Sequence, residues 1–200
     1  MEAVDEKNLD LLRDAFNRIS KISEESWALI LPILKFQSLQ KGEMLLRGGQ
    51  VAKNIYFVCS GALRSFYTDA DGGVYTKNIF LEGSFPASKV SLLLNAPSYI
   101  SIEALEDCRL ICFEFKAYKK LIEENEEVKN FYIAYIEQNW IIEKERKEIS
   151  LVMDNASERY LHFLKQYPNI EKRISQHYIA SHLGITPTQL SRIRKALKNS

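Results

Sequence analysis

Residues 174–197, ISQHYIASHLGITPTQLSRIRKAL, hold the side chains best suited to chemistry on a partner. Thr186, Thr188, Gln189, Ser191, Arg192, Arg194, Lys195 and Lys198 supply hydroxyls, an amide and four cations within thirteen residues, with no acid between them. Such groups read base edges or grip phosphates, where a carboxylate would be repelled by the nucleic-acid backbone. The surroundings agree. From Asp154 onward eight basic side chains face three acidic ones, and none is acidic after Glu171, although the whole chain carries a formal charge of only +1. A local positive field of this kind suits a polyanion.

Two helices must position these groups. Ser175 can cap a helix through QHYIASHL, with Ile179, Ala180 and Leu183 turned inward, and Gly184 can end it in the left-handed conformation glycine tolerates. Thr186, Pro187 and Gln189 then read as N-cap, first helical residue and capping-box partner of a second helix, whose buried face is Leu190, Ile193 and Leu197. A helix, a short glycine turn and a second helix with a polar, basic start make a helix-turn-helix.

The rest of the chain has three textures. Residues 8–20 and SEESWALILPIL read as helices, the second capped by Ser23. Between Lys35 and about Phe115 lie seven of the eight glycines, spacing out runs rich in Val, Ile, Phe and Tyr: KGEMLL, NIYFVCSGALRSFY, VYTKNIF and CRLICFEF, with DADGG as a hairpin turn. From Lys116 to Tyr167 there is neither Gly nor Pro, and EEVKNFYIAYIEQNWIIEKERKEISLVM is long enough for a single helix. Val128, Tyr132, Tyr135, Asn139, Ile142 and Ile149 follow a four-three spacing, which predicts helix pairing between two copies; Phe131, Ile136, Trp140 and Ile141 form a second apolar row that can lie on the chain's own core.

The predicted fold class is therefore α+β: an antiparallel β-roll flanked by helices (1–116), a long dimerisation helix (117–153) and an all-α helix-turn-helix domain without an evident wing (154–200). The 46% apolar and 26% charged content is ordinary for a folded domain, and no apolar run approaches the length that spans a bilayer. The acidic start MEAVDEKNLD resembles neither a secretory signal nor a transit peptide, so the expected location is the cytoplasm, away from membranes. Cys59, Cys108 and Cys112 fit no disulfide framework and read as small buried hydrophobes, and the three histidines as partly exposed helix residues. No cofactor is expected.

The order β-roll, long helix, helix-turn-helix resembles the cyclic-AMP receptor protein / fumarate-nitrate-reduction regulator family of bacterial transcription regulators. The likeness covers nearly the whole chain and is most specific in IAshlGITptqLSRIRKAL; KGEMLLRGGQVAKNIYFVCSGALRSFY resembles the family's roll and ASERYLHFL the start of its DNA-binding domain. The resemblance implies a homodimer on double-stranded DNA, promoter binding and hence RNA polymerase as a partner. It puts base contacts at Pro187, Thr188 and Arg192, with Arg192 as main reader and Arg194, Lys195 and Lys198 on phosphates. Pro187 and Thr188 depart from the family's common arginine–glutamate pair, so its best-known target sequence does not carry over.

In nucleotide-binding members a cassette supplies a Gly-Glu pair near its start and an Arg-Ser pair near its end. Here EGSFPASKVSLLLNAPSYISIEALED puts Gly83 and Ser84 at the first place and Ser98 and Tyr99 at the second, with Lys89 the one cation inside. Without carboxylate and guanidinium a buried cyclic phosphate lacks its anchors, which predicts no tight cyclic-AMP binding; Gly83, Ser84, Lys89, Ser98 and Tyr99 are the candidate pocket of an unidentified effector. Two other readings compete: a small-molecule sensor whose C-terminal helices bind a protein, and a β-roll metal enzyme. The last needs histidines at the mouth of the roll, and residues 1–161 contain none.

Overall fold

The computed structural model describes residues 3–198. Helix α1 (Ala3–Ile19) and helix α2 (Glu24–Ile30) lead into strand β1 (Leu34–Leu39). Ser23 caps α2 by accepting from Ser26 N at 3.2 Å, as its place before two acids predicts. The strands β2 (Met44–Leu46), β3 (Asn54–Ser60), β4 (Leu63–Thr68), β5 (Val74–Phe80), β6 (Ser101–Ala104) and β7 (Cys108–Glu114) complete two antiparallel sheets, ordered β1-β7-β3 and β2-β6-β4-β5. Helix α3 (Lys89–Leu94) lies between β5 and β6.

The run NIYFVCSGALRSFY is thus two strands in different sheets, and the switch falls at Gly61. There φ is 96°, and a Cβ would sit 2.5 Å from the Asp107 carbonyl and 2.6 Å from Cys108 Sγ, so only glycine turns this corner. The sheets close over Leu39, Val58, Leu63, Ile102, Ala104, Cys108 and Leu110. All three cysteine thiols are free and buried; burial pushes Cys59 and Cys108 up to about 11, which removes the reactive thiolate.

After β7 come α4 (Phe115–Glu124) and α5 (Glu126–Ile136). The chain breaks between them at Asn125, whose extended backbone and side chain cap α5. The long helix therefore starts at Glu126 and not near residue 117. It runs through a π-helical segment, Glu137–Ile142, into α6 (Glu143–Met153). The wider i→i+5 winding of that segment changes the phase of the side chains at that point. Ahead of the segment Val128 is fully buried, and Tyr132 and Tyr135 pack on the same core as Phe16, Trp27, Phe85 and Phe131. Val128 is thereby withdrawn from the predicted pairing row: the chain's own core uses it. Asn139 donates to the Tyr135 carbonyl of its own helix, while Ile142 and Ile149 are exposed, together with Ile133, Ile141, Val152 and Met153.

Helices α7 (Ala156–Gln166), α8 (Gln176–Leu183) and α9 (Pro187–Lys198) complete the described chain. Asn155 and Glu158 form a reciprocal capping box at the start of α7. The helical unit rests on the roll, sharing one core in which Ile170, Ile179 and Leu190 meet Ala62, Ile79 and Leu105.

Candidate nucleic-acid interface

The local signals between residues 175 and 190 are realised at Ser175, Gly184 and Thr186, but not as the capping box expected at Gln189. Ser175 Oγ accepts from His177 N at 3.3 Å at the start of α8. Gly184 ends that helix at φ 68°, and Ile185 N donates to the Ala180 carbonyl at 3.0 Å. Thr186 Oγ1 accepts from Gln189 N at 3.1 Å, opening α9. Among the described residues no return bond from the Gln189 side chain completes a capping box, so its amide is left facing solvent. Leu190 is fully buried and fixes the rotation of α9. Thr186, Thr188, Gln189, Ser191, Arg192, Lys195 and Lys198 all lie on the exposed side.

Arg194 behaves differently from its neighbours. Its Nε donates to Glu171 at 2.7 Å, and Glu171 also accepts from the Tyr160 hydroxyl. These bonds tie α9 to α7 and to the turn before α8, so Arg194 positions the helix and is not spare for phosphate. Arg173 is likewise spent, on Glu82 at 2.8 Å and Glu106 at 2.6 Å. On α9, among the described residues, the cations without a carboxylate partner are Arg192, Lys195 and Lys198.

Three contacts that sequence reasoning missed seat the unit on the roll. Thr76 N donates to Ser181 Oγ at 2.9 Å, and Ser181 Oγ donates to the Val74 carbonyl at 3.0 Å, so α8 satisfies the free edge of β5. The Arg64 guanidinium, paired with Glu103 at 2.7 Å, lies 4.2 Å from the Phe66 ring centroid and 4.3 Å from that of Tyr178 in α8. His182 Nδ1 lies 3.2 Å from the Thr76 carbonyl and, unlike the exposed His162 and His177, is sheltered. No signal in the sequence pairs these positions, which lie about a hundred residues apart.

Burial, with Lys147 nearby, pushes His182 down to about 4 from an ordinary 6.5. The unfolded chain then binds the proton before the folded one does. Stability should accordingly fall as pH is lowered from about 6.5 toward 4, with His182→Gln losing that part of the slope. Thermal melting of both proteins across this range checks it; parallel slopes would contradict the burial.

The cassette shows a shifted register. Ser84 Oγ donates back to the Leu81 carbonyl, whereas Ser98 Oγ lies 2.7 Å from Ser88 Oγ, both buried. The two ends thus meet at Ser88 and Ser98, and Ser84 is not opposite Ser98. Tyr99 is 77% exposed and turned away. Gly83, Ser84 and Lys89 line a different cavity of about 500 Å³, reached also by Arg18, Tyr135 and Lys147. The Lys89 ammonium sits 4.2 Å from the Trp140 ring centroid, and burial, then Lys77 and Lys147, pushes it down to about 7. In either register the cassette offers hydroxyls where a cyclic phosphate needs a guanidinium. Calorimetric titration with cyclic AMP should give no heat at micromolar ligand; saturable micromolar binding would refute this reading of the pocket.

The β-roll, the long helix with its exposed apolar row and the helix-turn-helix seated on the roll make up a fold also found in solved structures. Residues 36–125 match the cyclic nucleotide-binding domain family. The fold is similar to that of FixK2 from Bradyrhizobium japonicum, with a TM-score of 0.70 and 19% identity over 84% of this chain and 85% of that one. It is also similar to the c-di-GMP responsive global regulator CLP of Xanthomonas campestris, with a TM-score of 0.68 and 15% identity over 88% of this chain and 92% of that one. The Thermus thermophilus catabolite activator protein aligns with a TM-score of 0.53 and 22% identity, over 89% of this chain and 84% of its own. Among curated sequences, potassium channel KOR1 of Oryza sativa subsp. japonica is 29% identical over 82 residues, 41% of this chain and 9% of the channel. No helix among the described residues is long and apolar enough to cross a membrane.

Proposed function

We propose that the chain is a homodimeric, sequence-specific DNA-binding transcription regulator acting in the cytoplasm. The observation that carries this is the exposed face of α9, where Thr188, Gln189, Ser191, Arg192, Lys195 and Lys198 stand free of any acid on a helix whose rotation Leu190 fixes from below. Two copies paired through the exposed apolar row of the long helix would place two such helices in successive major grooves, about 34 Å apart, on a near-palindromic site. Arg192 is the base reader in this reading, since a guanidinium can bond two acceptors of one guanine; Lys195 and Lys198 contact phosphates. RNA polymerase is the partner that promoter binding would bring near.

The roles separate experimentally. Arg192→Ala should relax preference at one base position, at a cost of about 1–3 kcal/mol for the preferred base, while Lys198→Ala weakens all sequences alike and lowers the salt slope by about one. Titration of both variants against matched and mutated duplexes at several salt concentrations decides it. Identical behaviour of the two would remove the assignment.

A further inference from the structure

A second cavity, of about 220 Å³, lies where β5, α6, α7 and α8 converge, and its charge is lopsided. Lys77, Arg146, Lys147 and Arg159 line it against a single carboxylate, Glu143, which pairs with Arg146 at 3.0 Å. Arg159 donates from Nη1 to the Asp154 carbonyl, but its buried Nε has no hydrogen-bond partner. Among the described residues, the Lys147 ammonium donates to the Asn78 side-chain oxygen alone, at 3.3 Å. Burial holds Lys147 below its ordinary range; Glu143 opposes that and Lys77 adds to it. Unpaired donors and crowded cations in a sheltered cleft are costly unless an anion answers them.

We propose that this cleft binds a small, multiply charged phosphate compound, held by Arg159 and Lys147 from the helices and by Lys77 from the roll. A dianionic group matches four cations and one carboxylate better than a single carboxylate would, and guanidinium and ammonium donors bind phosphate through charge-assisted bonds. DNA is the poorer occupant: none of the residues of α9 lines the cleft. A phosphate compound there touches the roll, the long helix and both neighbouring helices of the DNA-reading unit at once. Its occupancy would fix the pose of that unit on the roll. The site stands on its own geometry; its regulatory role rests on the DNA-binding reading.

Inorganic pyrophosphate is the test ligand, titrated by calorimetry and by thermal melting into the full chain, with sulfate at equal ionic strength as control. Saturable binding is expected, weakened about tenfold or more in Arg159→Gln, the loss expected for one charge-assisted hydrogen bond. Lys77→Gln, an exposed change that spares the fold, should weaken it in the same direction, and Lys198→Gln should leave it unchanged. Absence of saturable binding would overturn the proposal. So would undiminished wild-type affinity in both the Arg159→Gln and the Lys77→Gln variant, or a loss confined to Lys198→Gln, which would place the anion on the DNA-reading face. Binding without any sequence-selective DNA affinity would keep the site and remove the regulator; selective DNA binding without pyrophosphate binding would do the reverse.

Discussion

Replacing Arg64 by alanine is expected to destabilise the chain by about 3–5 kcal/mol, the range seen when one member of a buried ion pair is removed and the other left behind. The Arg64 and Glu103 side chains are 8% and 15% exposed, and the bond between them is 2.7 Å. Without the guanidinium, the Glu103 carboxylate stays largely shielded from water with no cation. The same change removes the bond to Thr76 at 3.1 Å and the stacking of Tyr178 from α8 against the roll. Urea unfolding measures the loss. A double change, Arg64→Met with Glu103→Leu, should recover most of it, because no orphan charge remains. A single-variant cost under about 1 kcal/mol, typical of solvent-screened pairs, would contradict the burial of this pair.

Phe16→Ala carries the other large effect, again about 3–5 kcal/mol, for deletion of a buried aromatic ring. Phe16 is 1% exposed and stacks on Phe131 of the long helix at a centroid distance of 3.9 Å. Its edges meet Trp27 at 6.2 Å and Phe85 at 6.0 Å, edge-to-face pairings that add to simple burial. This ring joins α1, α2, the cassette and the long helix, so its loss should loosen the long helix along with the core. Phe16→Leu should cost much less by filling part of the space. Equal unfolding midpoints for wild type and Phe16→Ala would show that α1 does not pack there.

What could be read from the sequence was what is decided locally. The helix-turn-helix was legible because Ser175, Gly184, Thr186 and Pro187 act on backbone groups within four residues of themselves. The roll was legible from glycine spacing, although β1 and β6 were not: SIEA alternates but is only four residues long, the alternation of LKFQSL breaks at Gln37-Ser38, and both pair with distant partners. The long helix was visible, but its phase was not. Heptad counting assumes one unbroken winding, and the π segment at Glu137–Ile142 intervenes just where the helix passes from its own core to the surface. The ion pair of Arg194 was not legible because its partner Glu171 lies 23 residues earlier in sequence, in the turn before α8. That Ser88, rather than Ser84, faces Ser98 is visible only in the fold. The seating of α8 on β5 was invisible for the same reason.

The central claim is that α9 reads DNA sequence. Its most direct test is selection of the purified chain against a pool of random duplexes at fixed salt. The account predicts enrichment of an inverted repeat whose half-sites lie about one helical turn apart, with one position in each half-site broadened in Arg192→Ala. Salt-sensitive binding without any enriched sequence would contradict it, leaving α9 as a basic surface and nothing more.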